Sequence, residues 1–215
     1  MKTILVATDF SSAAENAAKY AADMAAVLGA RLYLLNVYNI PASYSDVPLA
    51  LNASDMMQEA EKNLMRLKDK LDERVRNHVP METEVRMGLF LSELKETCER
   101  IKPYLVVLGS QGTTATERFF FGSHAVHAMQ QLSWPLLTVP PEARFSAIKR
   151  IGLATDLEKV VDLVPADALK TLVNDFRAEL HILHTGKSSR FDPETVFESG
   201  LLQEMIGDLK PEYHF

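Results

Sequence analysis

The stretch that decides the fold is Tyr104-Leu105-Val106-Val107-Leu108-Gly109-Ser110-Gln111-Gly112, which Gly122-Ser123 follows after nine further residues. Its apolar run is typical of a strand buried on both faces of a parallel sheet. Glycine permits positive φ and lets a ligand approach the backbone closely. A helix that starts just beyond such a turn gathers backbone N–H groups around an anion. We therefore predict a nucleotide-phosphate loop that uses Gly109, Gly112, Gly122 and Ser123.

Around this stretch, apolar runs alternate with helical periods up to about residue 140. The predicted strands are Ile4–Ala7, Leu32–Val37, Thr83–Met87, Tyr104–Leu108 and Leu136–Val139. The predicted helices run from Ser12 to Leu28, from Ser54 or Asp55 to Asn77, from Leu91 to Ile101 and from Ser123 to Leu132. This alternation predicts an α/β fold, an open parallel sheet with helices on both faces. Ligands of such sheets lie beyond the carboxyl ends of the strands, where the strand order reverses.

Local signals place the ends of several of these elements. Ser12 with Glu15 matches a capping box at the start of the first helix, and Gly29 is expected to end it. The segment Tyr38 to Asn52 shows no period and is predicted to be a loop. Asp9 follows the first strand and either contacts a ligand or helps to cap the helix. If the first and fourth strands are neighbours, Asp9 lies beside the glycine turn.

The chain then repeats itself. Residues 1–9 align with residues 148–156, so that Asp9 matches Asp156, and residues 30–35 align with residues 178–183. Residues 79–84 match residues 210–215, so the third strand of the second copy is expected at the end of the sequence given. We therefore predict two domains, residues 1–140 and an incomplete second copy at residues 148–215. The second copy lacks a glycine loop here, and we expect no independent nucleotide site in it.

Composition excludes some classes of function. A formal net charge of -6 argues against nucleic acid, whose affinity comes largely from Lys and Arg. The single cysteine, Cys98, fits a reducing compartment and is expected to point into the core. No apolar run approaches the roughly 18 residues of a membrane span, and the N-terminus does not resemble a signal peptide. The expectation is a cytoplasmic protein with no membrane or nucleic-acid partner.

Residues 1–140 resemble a universal stress protein domain. Ile4-Leu5-Val6-Ala7-Thr8-Asp9-Phe10-Ser11 is similar to the family's first strand and turn. Gly109-x2-Gly112-x9-Gly122-Ser123 matches the glycine pattern of its ATP-binding subgroup. The resemblance implies a five-stranded sheet in the order 3-2-1-4-5. It also implies ATP or a related adenine nucleotide as ligand, with Mg²⁺ beside the triphosphate.

The same resemblance implies roles for individual residues. Ala7, Thr8 and Asp9 would line the adenosine, and Val37 would pack near the base. Gly109 and Gly112 would approach the ribose and the phosphates. The phosphate tail would be held by Gly122, Ser123 and the N–H of His124, although the family often has a small apolar residue where His124 stands.

Other residues near the loop have open interpretations. Arg118 either reaches a phosphate or is solvated, and Phe119-Phe120-Phe121 either packs the loop onto the domain or forms a contact patch. His124 and His127 lie three residues apart on one helix face without a third ligand, so no protein-bound metal is predicted.

Three function classes are weighed. The first is an ATP-binding regulatory module of the stress response that acts through an unknown protein partner. The second is a slow ATPase or nucleotidyl transferase, and the third is a scaffold with an empty site. No catalytic residue is predicted, because the loop offers no Walker lysine and no evident base. The resemblance also implies a dimer through the fifth strand, expected here as a homodimer that pairs Leu136–Val139 with another chain.

Overall fold

The computed structural model describes residues 1–39, 49–110, 128, 130–185 and 192–214, with backbone alone for residues 49–53. The chain divides into two compact units, Met1–Phe145 and Ser146–Phe215. Each unit is described by itself below.

The first unit is built on a five-stranded parallel sheet. Its strands are β1 (Thr3–Ala7), β2 (Arg31–Tyr38), β3 (Met81–Met87), β4 (Leu105–Gly109) and β5 (Leu136–Val139). Their order is β3-β2-β1-β4-β5, and every neighbouring pair is parallel. All five residues of β1 are buried, because this strand lies at the centre of the sheet. The predicted fold class and the strand order implied by the resemblance are confirmed.

The described helices of the first unit are α1 (Ser12–Leu28), α2 (Leu49–Arg74) and α3 (Phe90–Ile101). Of the predicted fourth helix, Ala128 and residues 130–132 are described; Ala128, Gln130 and Gln131 are helical, and Leu132 is not. Gly29 ends α1 in the left-handed conformation with φ 59°, as predicted. The structure thus supplies the helices that cover both faces of the sheet.

The predicted capping box at Ser12 is wrong by one residue. Ser11 is the N-cap: its backbone is extended, and its hydroxyl accepts the Ala14 N–H at 3.2 Å. Ser12 already has helical geometry, so its side chain cannot take the cap position. The helix therefore begins one residue after the true cap.

The start of α2 also differs from the prediction. The helix begins at Leu49, ahead of the predicted Ser54 or Asp55 and inside the predicted loop. In the sequence, Pro48 directly precedes Leu-Ala-Leu, and a proline is well tolerated at a helix start. The apolar period was too weak over these residues to mark the first turn.

One face of the sheet packs against α3. The buried cluster between this face and α3 includes Leu5, Leu35, Leu94 and Val106, and Trp134 packs against the cluster. Cys98 belongs to this cluster and is fully buried, as predicted. Burial raises the pKa of its thiol to about 12, with a smaller contribution from Glu99. The thiol is therefore a core group in its neutral form.

The second unit contains a three-stranded parallel sheet. Its strands are β6 (Arg150–Thr155), β7 (Glu179–His184) and β8 (Glu212–His214), in that order. Its helices are α4 (Val160–Leu163), α5 (Ala166–Phe176) and α6 (Pro193–Ile206). The helices α4 and α5 are separated at Val164–Pro165, because proline clashes with a continuing helix. Leu180, Ile182, Leu202 and Ile206 form part of its core.

The segment after β5 is held on α1 by one buried amide. Asn16 donates from Nδ2 to the carbonyls of Pro140 and Ala143, each at 3.0 Å. Its Oδ1 accepts from the Arg144 guanidinium. Tyr20 of α1 adds an edge-to-face contact with Phe145, with 5.3 Å between ring centroids. Asn16 therefore fixes the path of the chain as it leaves the sheet.

We expect Asn16→Ala to lower the free energy of unfolding of the first unit by about 1–3 kcal/mol, because two partly buried carbonyls and an arginine each lose a hydrogen bond to this buried amide. Urea unfolding followed by Trp134 fluorescence measures this, since the only tryptophan lies in the first unit. Asn63→Ala is the matched control, because Asn63 bonds only locally, to Glu59 and Arg66 of α2. Equal effects of the two substitutions would contradict the role given to Asn16.

Candidate functional site

The carboxyl ends of three adjacent strands form one edge of the first unit's sheet. β1 pairs with β2 through Ala7 and Leu35, and with β4 through Val6 and Val107. Continuing these registers brings Asp9 level with Val37 on one side and with Ser110 on the other. The chain leaves β1 into α1, whereas β4 continues into the segment that contains the predicted loop. This edge is therefore the switch point at which open parallel sheets bind ligands.

The turn between β1 and α1 is shaped by its own side chains. Thr8 accepts the Phe10 N–H through Oγ1 at 3.0 Å, and Asp9 accepts the Ser11 N–H through Oδ1 at 3.0 Å. Phe10 has φ 63°, which side-chain-bearing residues rarely adopt. Asp9 is exposed, and its Oδ2 makes no hydrogen bond to a described residue. The turn thus presents a carboxylate oxygen to solvent at the edge of the sheet.

Asn36 is a buried polar residue beside this turn. Its Nδ2 donates to the Thr8 carbonyl at 2.7 Å, which ties the end of β1 to β2. Its Oδ1 is buried and has no hydrogen-bond partner among the described residues. Sequence reasoning missed Asn36, although a lone amide inside the apolar strand Leu32–Val37 was a usable signal. The residue leaves an unsatisfied acceptor at the candidate site.

Gly109 ends β4 against the backbone of α1. A Cβ built on it would lie 2.7 Å from the Ala13 carbonyl oxygen and 2.9 Å from the Ala14 nitrogen. No side chain fits there, so a packing requirement explains this glycine without a ligand. The next residue, Ser110, is nine-tenths buried and donates its N–H to the Val139 carbonyl at 2.9 Å. The ligand contact of Gly109 stays a prediction.

The remaining predicted site residues fall outside the described part of the chain. They are Gly112, Gly122, Ser123 and His124, together with Arg118, Phe119-Phe120-Phe121 and His127. Of the predicted set, the structure places Ala7, Thr8, Asp9, Val37 and Gly109 at one sheet edge. Ala7 is buried at the end of β1 beside β2, and Val37 packs against the α3-side core.

The turn after β6 in the second unit has the same local geometry. Leu157 donates to Thr155 Oγ1 at 3.0 Å, and Glu158 donates to Asp156 Oδ1 at 3.1 Å. Leu157 has φ 57°, close to the value for Phe10. The Thr-Asp sequence therefore folds into the same turn in both units.

The described residues of the sheet edge suit binding better than covalent chemistry. They offer a carboxylate, a buried amide oxygen and backbone polar groups. Among Ala7–Ser11, Asn36–Val37 and Gly109–Ser110 there is no histidine, cysteine or lysine to activate a nucleophile. The site can orient a polar ligand at the switch point.

None of the helices in the described part of the chain combines the length and the hydropathy of a membrane-spanning helix.

We expect Gly109→Ala to lower the free energy of unfolding of the first unit by about 1–3 kcal/mol, because the added methyl group collides with backbone that cannot rotate away. Urea unfolding followed by Trp134 fluorescence is the measurement. Gly200→Ala is the control, because Gly200 lies in α6 with nothing within 4 Å of an added Cβ. If Gly109→Ala unfolds at the same midpoint urea concentration as the wild-type protein, α1 does not lie this close to β4.

Comparison with known proteins agrees with this architecture. The model of the universal stress protein family matches residues 1–140. A universal stress protein of Methanocaldococcus jannaschii is 28% identical over 144 residues, which are 64% of this chain and 81% of that protein.

Solved structures extend the likeness in fold. A universal stress protein from Archaeoglobus fulgidus aligns with a TM-score of 0.72 and 19% identity, covering 99% of this chain and 76% of that one. A family member from Burkholderia pseudomallei aligns with a TM-score of 0.52 and 21% identity, covering 65% of this chain and 96% of that one. With the family match over the first 140 residues, these findings establish that the chain belongs to the universal stress protein family.

Proposed function

We propose that the first unit binds an adenine nucleotide, with ATP as the expected ligand, and acts as a regulatory module of the stress response. The observation that carries the proposal is the sequence pattern Gly109-x2-Gly112-x9-Gly122-Ser123, which begins at the last residue of β4, a strand whose carboxyl end lies at the switch point of the sheet. Family membership supports the stress-response role. The sheet edge supports the choice of site, because Asp9 follows the carboxyl end of β1 and Val37 lies near that of β2, on the other side of the switch point.

The described residues fit the adenosine part of such a ligand. Asp9 offers a free carboxylate oxygen, the kind of acceptor that ribose hydroxyls use. Asn36 offers a buried acceptor that a ligand amino group or a water would satisfy. The phosphates would be held by Gly112, Gly122, Ser123 and His124, which lie outside the described residues, and Mg²⁺ would accompany the triphosphate. Backbone N–H groups there would hold the anion without a basic side chain.

Binding is favoured over rapid turnover for a chemical reason. Fast phosphoryl transfer needs positioned charge and a group that orients the nucleophile. Among the described residues of the sheet edge, no lysine or arginine supplies the positive charge. A slow ATPase remains the second candidate, and it predicts turnover with Mg²⁺ that is lost in Asp9→Ala. An empty scaffold is the third, and the intact glycine pattern argues against it.

We expect Asp9→Ala to weaken ATP binding by about tenfold or more, since hydrogen bonds to a charged group contribute about 1.5–3 kcal/mol. Isothermal titration calorimetry of the full chain with Mg²⁺-ATP, and separately with AMP, gives the dissociation constants. Asp156→Ala is the matched control: it removes the same turn hydrogen bond in the second unit. It should leave ATP affinity within about twofold.

Two outcomes would overturn the proposal. One is the absence of heat and of any change in melting temperature on adding either nucleotide. The other is an equal loss of affinity in Asp9→Ala and Asp156→Ala, which would place the ligand elsewhere. Mass spectrometry of ligand released from the purified protein provides a check that requires no added nucleotide.

The second unit is proposed to be a partial second copy of the first. Its Thr-Asp turn repeats the hydrogen bonds of the first turn, and its strand order β6-β7-β8 corresponds to β1-β2-β3. On this proposal the domain boundary lies between residues 140 and 148. The cytoplasm is kept as the expected compartment on the basis of the single cysteine.

The fifth strand is proposed as the surface of a homodimer. β5 is an edge strand of its sheet, and β4 is its partner on one side. The carbonyls of Pro135 and Val139 point toward β4. By alternation, the N–H groups of Leu136 and Thr138 point outward, where another chain can pair with them.

We expect Thr138→Pro to convert a dimer into a monomer, because proline removes the outward N–H while the hydrogen bonds to β4 remain. Sedimentation velocity at micromolar concentration measures the change. Thr138→Val, which keeps the N–H, should stay dimeric, and Trp134 fluorescence should show that both variants are folded. A monomeric wild-type protein would refute the assignment.

A further inference from the structure

Three side chains of the second unit converge on one face of its sheet. His181 lies on β7, and Glu212 and His214 lie two residues apart on the neighbouring strand β8. Strand pairing places His181 opposite Glu212. His181 Nδ1 lies 2.9 Å from His214 Nε2 and 3.5 Å from a Glu212 carboxylate oxygen. One ligand-type atom from each residue lies within 4.8 Å of the other two.

These separations suit a bound transition-metal ion. Ligand atoms held at about 2.0–2.1 Å in a tetrahedral zinc site lie roughly 3.4 Å from one another. The distances from His181 Nδ1 to His214 Nε2 and to the Glu212 carboxylate, 2.9 and 3.5 Å, lie on either side of that value. Two imidazoles and one carboxylate form a donor set that binds Zn²⁺ and leaves a fourth position for water. Two of the three ligand-atom separations are therefore close to those around a bound ion, and the third is within 4.8 Å.

A second observation concerns the other ring nitrogen of His181. Its Nε2 is buried and has no hydrogen-bond partner among the described residues. The carboxylate of Glu179 lies 3.8 Å from this nitrogen. A histidine that binds a metal through one nitrogen usually donates the other N–H to a carboxylate, which fixes the tautomer and the ring orientation. A small shift of the exposed Glu179 side chain would bring its carboxylate within hydrogen-bond distance of this N–H once Nδ1 binds a metal.

The corresponding positions of the first unit hold different side chains, so the fold does not require these three residues. The repeat aligns His181 with Tyr33. The pairing registers place His214 level with Glu84 of the first unit, one residue away from the match of residues 79–84 with 210–215 made from the sequence. There, Tyr33 donates its hydroxyl hydrogen to Glu84 at 2.9 Å, and Arg100 of α3 pairs with the same carboxylate. A tyrosine–carboxylate–arginine cluster thus fills the corresponding place. The second unit presents metal-binding side chains there instead.

Without a metal, the two imidazoles share one proton in a nitrogen-to-nitrogen hydrogen bond, with their rings stacked at 5.2 Å between centroids. A cation bound between them would replace that hydrogen bond: the imidazole that donated it takes the other neutral tautomer, with its proton on the ring nitrogen away from the metal, so that each facing nitrogen offers a lone pair. We infer that His181, Glu212 and His214 form a Zn²⁺-type divalent metal site in the second unit. This site is independent of the proposed nucleotide site.

The test uses the full chain, treated with chelator, and Zn²⁺ alone as the probe. Equilibrium dialysis should give one tightly bound ion per chain, and Co²⁺ substitution should give the intense visible absorption of a four-coordinate site. We expect the His181→Ala/His214→Ala double variant to lose this affinity by about tenfold or more. Glu212→Gln, which retains the shape of an exposed side chain, should weaken binding without disturbing the fold.

His78→Ala is the matched control, because His78 lies in the first unit, where its ring contacts the Val75 carbonyl. It should leave the affinity and the Co²⁺ spectrum unchanged. Circular dichroism separates a lost site from a lost fold in the double variant, and Glu212→Gln provides the test if that variant unfolds. Unchanged affinity in both site variants, or loss of binding in His124→Ala/His127→Ala instead, would overturn the assignment.

Discussion

The close approach of α1 to β4 is the constraint on which the first unit depends. Gly109 lies against the backbone of Ala13 and Ala14, where even a methyl group would collide. The helix has a buried face made largely of alanine, which permits this short distance. Because α1 starts directly after the β1 turn, its approach also sets where Asp9 lies relative to the end of β4. One packing requirement therefore positions both sides of the candidate site.

The turn itself is a local structure. Thr8 and Asp9 satisfy the backbone N–H groups that follow them, and Thr155 and Asp156 do the same in a unit with a smaller sheet. Since the same four-residue geometry forms in two surroundings, its own hydrogen bonds suffice to specify it. Function must then come from what lies beside the turn, and in the first unit these neighbours are Asn36 and the segment that follows Gly109.

The two units also show how one position in a sheet can hold different chemistry. At the pairing of β2 with β3, Tyr33 and Glu84 are completed by Arg100 from α3. At the pairing of β7 with β8, His181 and His214 face each other beside Glu212. Backbone pairing fixes the distance between the side chains in both cases. Residue type alone decides whether the result is an ion-pair cluster or a set of metal donors.

The sequence by itself determined the fold class, most strand positions, the end of α1 at Gly29 and the family, because burial and turn geometry restrict residue types locally. It identified Asp9, Val37 and Gly109 as residues at the carboxyl ends of neighbouring strands, since parallel strands must share an edge.

The sequence misplaced the cap at Ser12, because two adjacent serines have equal propensity and only the path of the chain distinguishes them. It overlooked Asn36, whose importance lies in a hydrogen bond to a residue on another strand. It gave no sign that His181 and His214 meet, because they are 33 residues apart and only strand register brings their nitrogens together. Tertiary structure decided these features, since contacts between distant residues depend on pairing and packing that no local pattern encodes.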